Sequence, residues 1–157
     1  LALQHIQNKI TLSDDMQTLV QKKLDYPYPR VLVGSILRNY ASSAIDISDG
    51  VLADLSHVCK ASGVGATIEL NNLPLSDTMH NAVNSTKSSQ LALNGGDDYE
   101  LLFTVNNSNK VAMESALIGV DCKVTCIGQM NPSKKISTTI NGTEIDVDSD
   151  GFEHFST

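Results

Sequence analysis

No run of apolar residues here reaches the ~20 that a membrane-spanning helix needs, and residues 1–8 carry neither a basic region nor a cleavage site. Positive charge is also in short supply. Eleven Lys and Arg stand against 18 Asp and Glu, a formal net charge of −7. Nucleic acid and anionic membrane surfaces both demand a basic face, so neither is expected as the main partner. Phosphates stay within reach of such a chain where a divalent cation stands between. Cysteine is scarce: Cys59, Cys122 and Cys126 cannot all pair. On one extended strand, Cys122 and Cys126 would share a face about 13 Å apart, too far for a disulfide or a shared metal. Free, buried thiols in a reducing cytoplasm are the expectation. There is no Walker sequence, internal repeat or low-complexity tract. Gly63-Val64-Gly65 follows a predicted helix and precedes a predicted strand, the reverse of a dinucleotide fingerprint. His5, His57 and His80 have no companions at ligand spacing. No Ser-His-Asp or Cys-His arrangement can be argued, so nucleophilic catalysis is not supported.

What is present describes one globular unit. A length of 157 residues, 41% hydrophobic and 18% charged, can bury a sizeable core without disulfides or metal staples. The chain starts without methionine inside an apparent helical pattern, which points to a piece of a longer chain. Ser13 reads as the N-cap of a helix with Met16, Leu19, Val20 and Leu24 at helical spacing, and the prolines at 27 and 29 interrupt it. Residues 31–40 read as a second helix, with Val31, Ile36 and Leu37 inward and Arg30 and Arg38 outward. A strand over 43–47 leads into a helix over 50–60. Its apolar stripe is Val51, Leu52, Leu55, Val58 and Cys59, with Asp54 and His57 placed outside it. Gly63 suits the helix end. A strand over 66–70, a loop over 71–74 and a short helix near 77–83 follow, and the serine-rich stretch 84–89 reads as an exposed connector. Residues 99–105 predict a strand covered on both faces, and 109–118 a helix carrying Val111, Met113, Ala116 and Leu117. Residues 123–129 predict a strand. Residues 136–147 predict a hairpin around Asn141-Gly142, the dipeptide of a type I′ turn. Helices and strands alternate, but the hairpin breaks a doubly wound pattern, so an α+β fold with helices on a mixed sheet is expected.

Two acidic turns carry the chemistry. In Ala44-Ile45-Asp46-Ile47-Ser48-Asp49-Gly50-Val51, an apolar strand ends in two carboxylates and a hydroxyl just where a helix begins. Asp46 and Ser48 point the same way on a strand, and Asp49 can swing into the same space. Mg²⁺ takes a few carboxylates plus waters and phosphate oxygens, and the unpaired N–H groups of a helix start attract phosphate. Helix capping by Ser48 or Asp49 explains those two residues as well. It does not explain Asp46, which would end a buried strand as an uncompensated charge. Gly95-Gly96-Asp97-Asp98-Tyr99-Glu100 is the second turn, read either as a solvated loop or as backbone brought close to a ligand by glycine. Near the end, Phe152 and Phe155 flank His154. They suit a core edge or a stacking face.

Taken together, residues 44–55, 62–66, 73–76, 91–103 and 151–155, with Tyr28-Pro29-Arg30-Val31, resemble the thiamine-monophosphate kinase family across nearly the whole chain, but only its C-terminal half. The resemblance implies an α/β/α layered sandwich around a mixed β-sheet, like the C-terminal domain of the aminoimidazole ribonucleotide synthetase superfamily. It implies that ATP and thiamine monophosphate give thiamine diphosphate and ADP. It implies Asp46 and Asp49 as Mg²⁺ ligands, Ser48 as an ATP contact, and Asp97 and Phe152 as contacts to thiamine monophosphate. Where the family usually has Glu, this chain has Asp97; where it often has Trp or Tyr, this chain has Phe152. The N-terminal half, with further metal ligands and much of the ATP site, would be the missing partner. The implied whole enzyme is cytoplasmic and homodimeric, and this half alone a monomer without activity. A selenophosphate or aminoimidazole ribonucleotide synthetase domain, or a non-catalytic metal or nucleotide module, are the alternatives.

Overall fold

Side-chain caps set several of the helix starts in the computed structural model, which describes residues 1–146. After a short helix α1 (Ala2–Ile6), α2 (Asp14–Asp25) begins where the Ser13 hydroxyl accepts from the Met16 N–H, with Asp14 and Asp15 in its first turn. Then come α3 (Val31–Leu37), β1 (Ala41–Asp46), α4 (Val51–Ser62), β2 (Gly65–Glu69), a 3₁₀ turn (Leu70–Asn72), α5 (Asp77–Ala82) and α6 (Ser85–Asn94). The order ends with β3 (Leu101–Val105), α7 (Asn107–Ala116), β4 (Gly128–Asn131), β5 (Ile136–Ile140) and β6 (Thr143–Ile145). Gly63 closes α4 in the left-handed conformation, φ 69°.

Three local expectations are corrected. The stretch 84–89 is not a connector but opens α6, because its polar groups find partners within the helix. The Asn84 side chain accepts from the Lys87 N–H, and the buried Ser88 hydroxyl donates to the Ser85 carbonyl. That helix carries Leu93 into the core at 0% exposure. The strand expected over 123–129 pairs only from Gly128 onward, although the Glu69 N–H still reaches the Ile127 carbonyl at 2.8 Å. In α3 the buried residues are Val33 and Leu37, while Val31 is exposed.

The described strands form two sheets. β1 and β3 pair antiparallel, with Asp46 opposite Leu101. The other sheet has the order β4-β2-β5-β6, with β2 and β5 parallel and the remaining pairs antiparallel. Period-two alternation divides β3 between two cores. Leu102 joins Val51, Leu55 and Cys59 of α4, Ala66 and Ile68 of β2 and Leu93 of α6. Leu101, Phe103 and Val105 join Val33 and Leu37 of α3 and Met113 and Leu117 of α7. Helices therefore cover β3 on both sides, as its sequence requires, and the fold is a layered α+β arrangement. Of the cysteines, Cys59 alone is buried, and burial pushes its thiol pKa up; Cys122 is half-buried, Cys126 exposed and all three are free.

The closing hairpin shows both Asn141 and Gly142 at positive φ, 51° and 77°, as a type I′ turn demands. Glu69 anchors it. Its carboxylate accepts the N–H groups of Asn141 (2.9 Å) and Gly142 (3.2 Å) and the Thr139 hydroxyl (2.9 Å). The Asn141 N–H leads in holding its pKa below the usual value. A lowered folded pKa contributes stability above the unfolded value of about 4.3 and loses it as pH falls through the folded value. Melting temperatures followed from pH 7 down into the acid range should therefore decline less steeply in Glu69→Gln than in the parent, from a lower start.

Candidate functional site

Strand β1 delivers Asp46, solvent-exposed, at its last position, and the chain then turns through Ile47, Ser48 and Asp49 before α4. Gly50 makes this turn possible. Its φ of 117° with ψ of 156° is a region only glycine occupies readily, and a Cβ there would stand 3.0 Å from the Leu93 carbonyl oxygen at the end of α6. From beneath, Asp54 holds the turn. It is 2% exposed, and its Oδ2 accepts from the N–H of Ser48 (2.9 Å) and of Asp49 (3.2 Å). Those two N–H groups belong to the turn ahead of α4, whose own first-turn N–H groups come after Gly50. Asp54 was placed outside the apolar stripe, yet 51, 54, 55, 58 and 59 are one helical stripe with a carboxylate in it. A charge on the buried face was the signal available.

The second acidic turn lies directly against the first. The Asp97 N–H donates to the Ser48 carbonyl (3.0 Å), the Tyr99 N–H to the Ile47 carbonyl (2.9 Å), and the Ile47 N–H to the Glu100 carbonyl (2.9 Å). These bonds continue the β1–β3 pairing past the strand ends. Gly96 permits the approach, since a Cβ on it would stand 2.2 Å from the Ser48 carbonyl oxygen. Asp97 and Tyr99 both have positive φ, 62° and 50°. Asp visits that region more readily than most residues, whereas for a bulky residue such as Tyr it is an outlier that needs support. The support is visible: the Tyr99 hydroxyl donates to Asp97 Oδ1 at 3.1 Å. That hydrogen bond leads in raising the phenol pKa, followed by the Asp97 charge, with Asp46 and Asp49 contributing further. Carboxylates of both turns thus act on one hydroxyl. Sequence reasoning gave Tyr99 no part, and only its position between the acidic residues could have marked it.

Glu100, also without an assigned role, takes a bidentate ion pair from Arg30: Nε to Oε2 and Nη2 to Oε1, each 2.8 Å. Arg30, expected to face outward, also donates Nη1 to the Asp121 carbonyl and lies 5.3 Å from the Tyr28 ring centre. The Glu100 hydrogen bonds raise the guanidinium pKa further, so this cation is committed to the fold. It is the single ion pair among the described residues, and Asp46 is in none.

Ser48, Asp49, Gly95, Gly96, Asp97 and Tyr99 line one open cleft that runs along much of the molecule, and Asp46, exposed at the end of β1, is not among its lining residues. Phe152 lies outside the described residues. Among the described residues no three His, Cys, Asp or Glu side chains gather closely enough to enclose a metal. Two carboxylates and a hydroxyl, with room for water and phosphate, are nonetheless a hard-oxygen donor set. Mg²⁺ is ordinarily bound by one or two carboxylates completed by waters and phosphates, so the residues fit that ion rather than a fully protein-enclosed one. No helix among the described residues is long and apolar enough to cross a membrane.

A layered α+β domain presenting two adjoining acidic turns to an open cleft is the class that the fold and site define. The chain belongs to the family of AIR synthase related proteins, C-terminal domain, whose model matches residues 2–141. It is 41% identical over 155 residues to the thiamine-monophosphate kinases of Salmonella typhimurium and Escherichia coli K12, covering 97% of this chain and 47% of each relative. It thus spans about half the length of the curated relatives it matches. Among solved structures, the thiamine-monophosphate kinase of Stenotrophomonas maltophilia K279a superposes with a TM-score of 0.78 at 30% identity, over 86% of this chain and 44% of that one. AaThiL complexed with AMPPCP and TMP superposes at 0.75 over 98% of this chain and 47% of that one; at 24% identity it speaks for the fold.

Proposed function

We propose that this chain is the C-terminal half of an ATP-dependent kinase that phosphorylates thiamine monophosphate to thiamine diphosphate. The observation carrying the reading is the hydrogen-bonded convergence of the two acidic turns, Ile47 and Ser48 bonding to Asp97, Tyr99 and Glu100. In this reading Asp46 and Asp49 hold Mg²⁺, Ser48 contacts ATP, and Asp97 and Phe152 contact thiamine monophosphate. Bound there, Mg²⁺ would supply charge neutralisation between two anionic reactants. The chain's own contribution is alignment. Asp97 is fixed relative to Ser48 through its N–H and relative to Tyr99 through its carboxylate, so the two turns keep a set separation. The acceptor oxygen of a phosphate monoester is ionised at neutral pH, so no general base is needed.

An N-terminal half completes the proposed enzyme, which is cytoplasmic and homodimeric when whole, while this half alone is monomeric. Support comes from exposed apolar residues on α2, on α3 and in the link between them: Leu19, Tyr26, Tyr28, Val31 and Leu32. The test is direct. Purified alone, the chain should give no thiamine diphosphate from ATP and thiamine monophosphate. Mixed with the N-terminal half of an Escherichia coli K12 or Salmonella typhimurium relative, it should regain turnover. Robust turnover by the chain alone would overturn the division of labour, and binding of neither ligand by the reassembled protein would overturn the substrate assignment.

A further inference from the structure

The geometry points to Asp54 as the positioning residue of the first acidic turn, one that makes the turn a seat for cations and closes it to free anions. The inference rests on the reading of Asp46 and Asp49 as cation ligands, and goes beyond it. Asp54 touches neither substrate in that reading; it acts through the backbone. Its location is unusual for a carboxylate, at 2% exposure on the buried stripe of α4 between Val51 and Leu55. An isolated buried carboxylate is costly, and the compensation visible here is the pair of N–H groups at Ser48 and Asp49 on one oxygen. Two consequences follow. Consecutive amides gripped from inside fix the peptide planes of residues 47–49, and so fix the Ser48 carbonyl that receives the Asp97 N–H at 3.0 Å. One side chain therefore sets the first turn and, through it, the second. Next, the consecutive N–H groups of the turn ahead of α4, which could otherwise form an anion nest, already hold an internal anion. At this turn phosphate meets side-chain oxygens instead of N–H donors, so phosphate binding there should require the metal.

The test uses the purified chain with Mn²⁺ as probe, ATP as anion, and two variants, Asp54→Ala and Asp54→Asn. The Asn oxygen still accepts N–H groups; Ala cannot. Backbone amide exchange by NMR should show protection at Ser48, Asp49 and Asp97 lost by at least tenfold in Asp54→Ala and largely restored in Asp54→Asn, with amides of α7 and β5 unchanged. Mn²⁺ titration should show affinity reduced at least fivefold in Asp54→Ala, and ATP should bind the parent with Mn²⁺ but not in chelator. If Asp54→Ala does not fold, Asp54→Asn decides: its exchange at Ser48, Asp49 and Asp97 must follow the parent, and loss of protection at those three amides sinks the proposal. Parent-like exchange and Mn²⁺ affinity in Asp54→Ala also overturn it, as does ATP binding to the parent in chelator. Absence of Mn²⁺ binding to the parent, with exchange still governed by Asp54, would strike the cation-ligand reading and leave the positioning role standing.

Discussion

Gly96→Ala should lower the stability of the chain by about 1–3 kcal/mol, the range for forcing extra atoms into a filled space, and should part the two acidic turns. The added methyl would stand 2.2 Å from the Ser48 carbonyl oxygen, 3.1 Å from its carbon and 3.2 Å from the Asp49 Cα. All three are backbone atoms, so no side chain can rotate away. Ordinary contact begins at 3.4 Å, and the Ser48 oxygen cannot retreat without releasing the Asp97 N–H. For a chain of this size the melting temperature should fall by roughly 2–4 °C per kcal/mol. The fitting control is Gly63→Ala. That glycine has φ 69° but nothing within 4 Å of its would-be Cβ, so the substitution costs only the left-handed strain of about 1 kcal/mol. Thermal melts should rank the two in that order. Amide shifts of Ser48 and Asp97 should move in Gly96→Ala and stay in Gly63→Ala. Equal melting points, or unchanged shifts in Gly96→Ala, would mean that the turns are not in contact.

That glycine and its neighbours show how far the chain could be read before its structure was known. Local signals served well wherever a residue acts on its own backbone. Ser13 caps α2, Gly63 closes α4, and Asn141-Gly142 forms the hairpin turn, because each of these choices is decided within a few residues. The two acidic turns were legible as turns for the same reason. Their adjacency followed from the family resemblance and not from local signals, since it depends on β1 pairing with β3 across more than fifty intervening residues. Arg30 and Glu100, 70 positions apart, were invisible as a pair for the same cause. Asp54 and α6 illustrate a different failure. Polarity does not mark exposure here: the Asp54 carboxylate and the Ser88 hydroxyl are both buried because each finds a backbone partner. A polar residue at a position the helical period assigns to the interior is better read as holding something in place.

Once an N-terminal half restores turnover, Asp49→Asn should cut kcat/KM for ATP on the order of 10²- to 10³-fold, the scale seen when one preorganised electrostatic contact is removed. The substitution preserves shape and leaves Asp54 with the same amide to hold, so the fold should remain: Asp49 is half-buried and outside both cores. What changes is the charge offered to a hard cation, and an uncharged amide oxygen is the poorer ligand for Mg²⁺. Much of the loss should then be recovered by raising the Mg²⁺ concentration, which mass action allows only if affinity for the ion was the quantity lowered. Asp97→Asn should behave differently. Its carboxylate sits on the other turn, held by the Tyr99 hydroxyl at 3.1 Å, and in the proposed enzyme it meets thiamine monophosphate. Its loss should appear in the KM for that substrate and should not respond to Mg²⁺. Steady-state kinetics with each substrate varied at two Mg²⁺ concentrations separate the two patterns. If Asp97→Asn is the variant rescued by metal and Asp49→Asn is not, the cation belongs on the glycine-rich turn, and the roles of the two turns are exchanged.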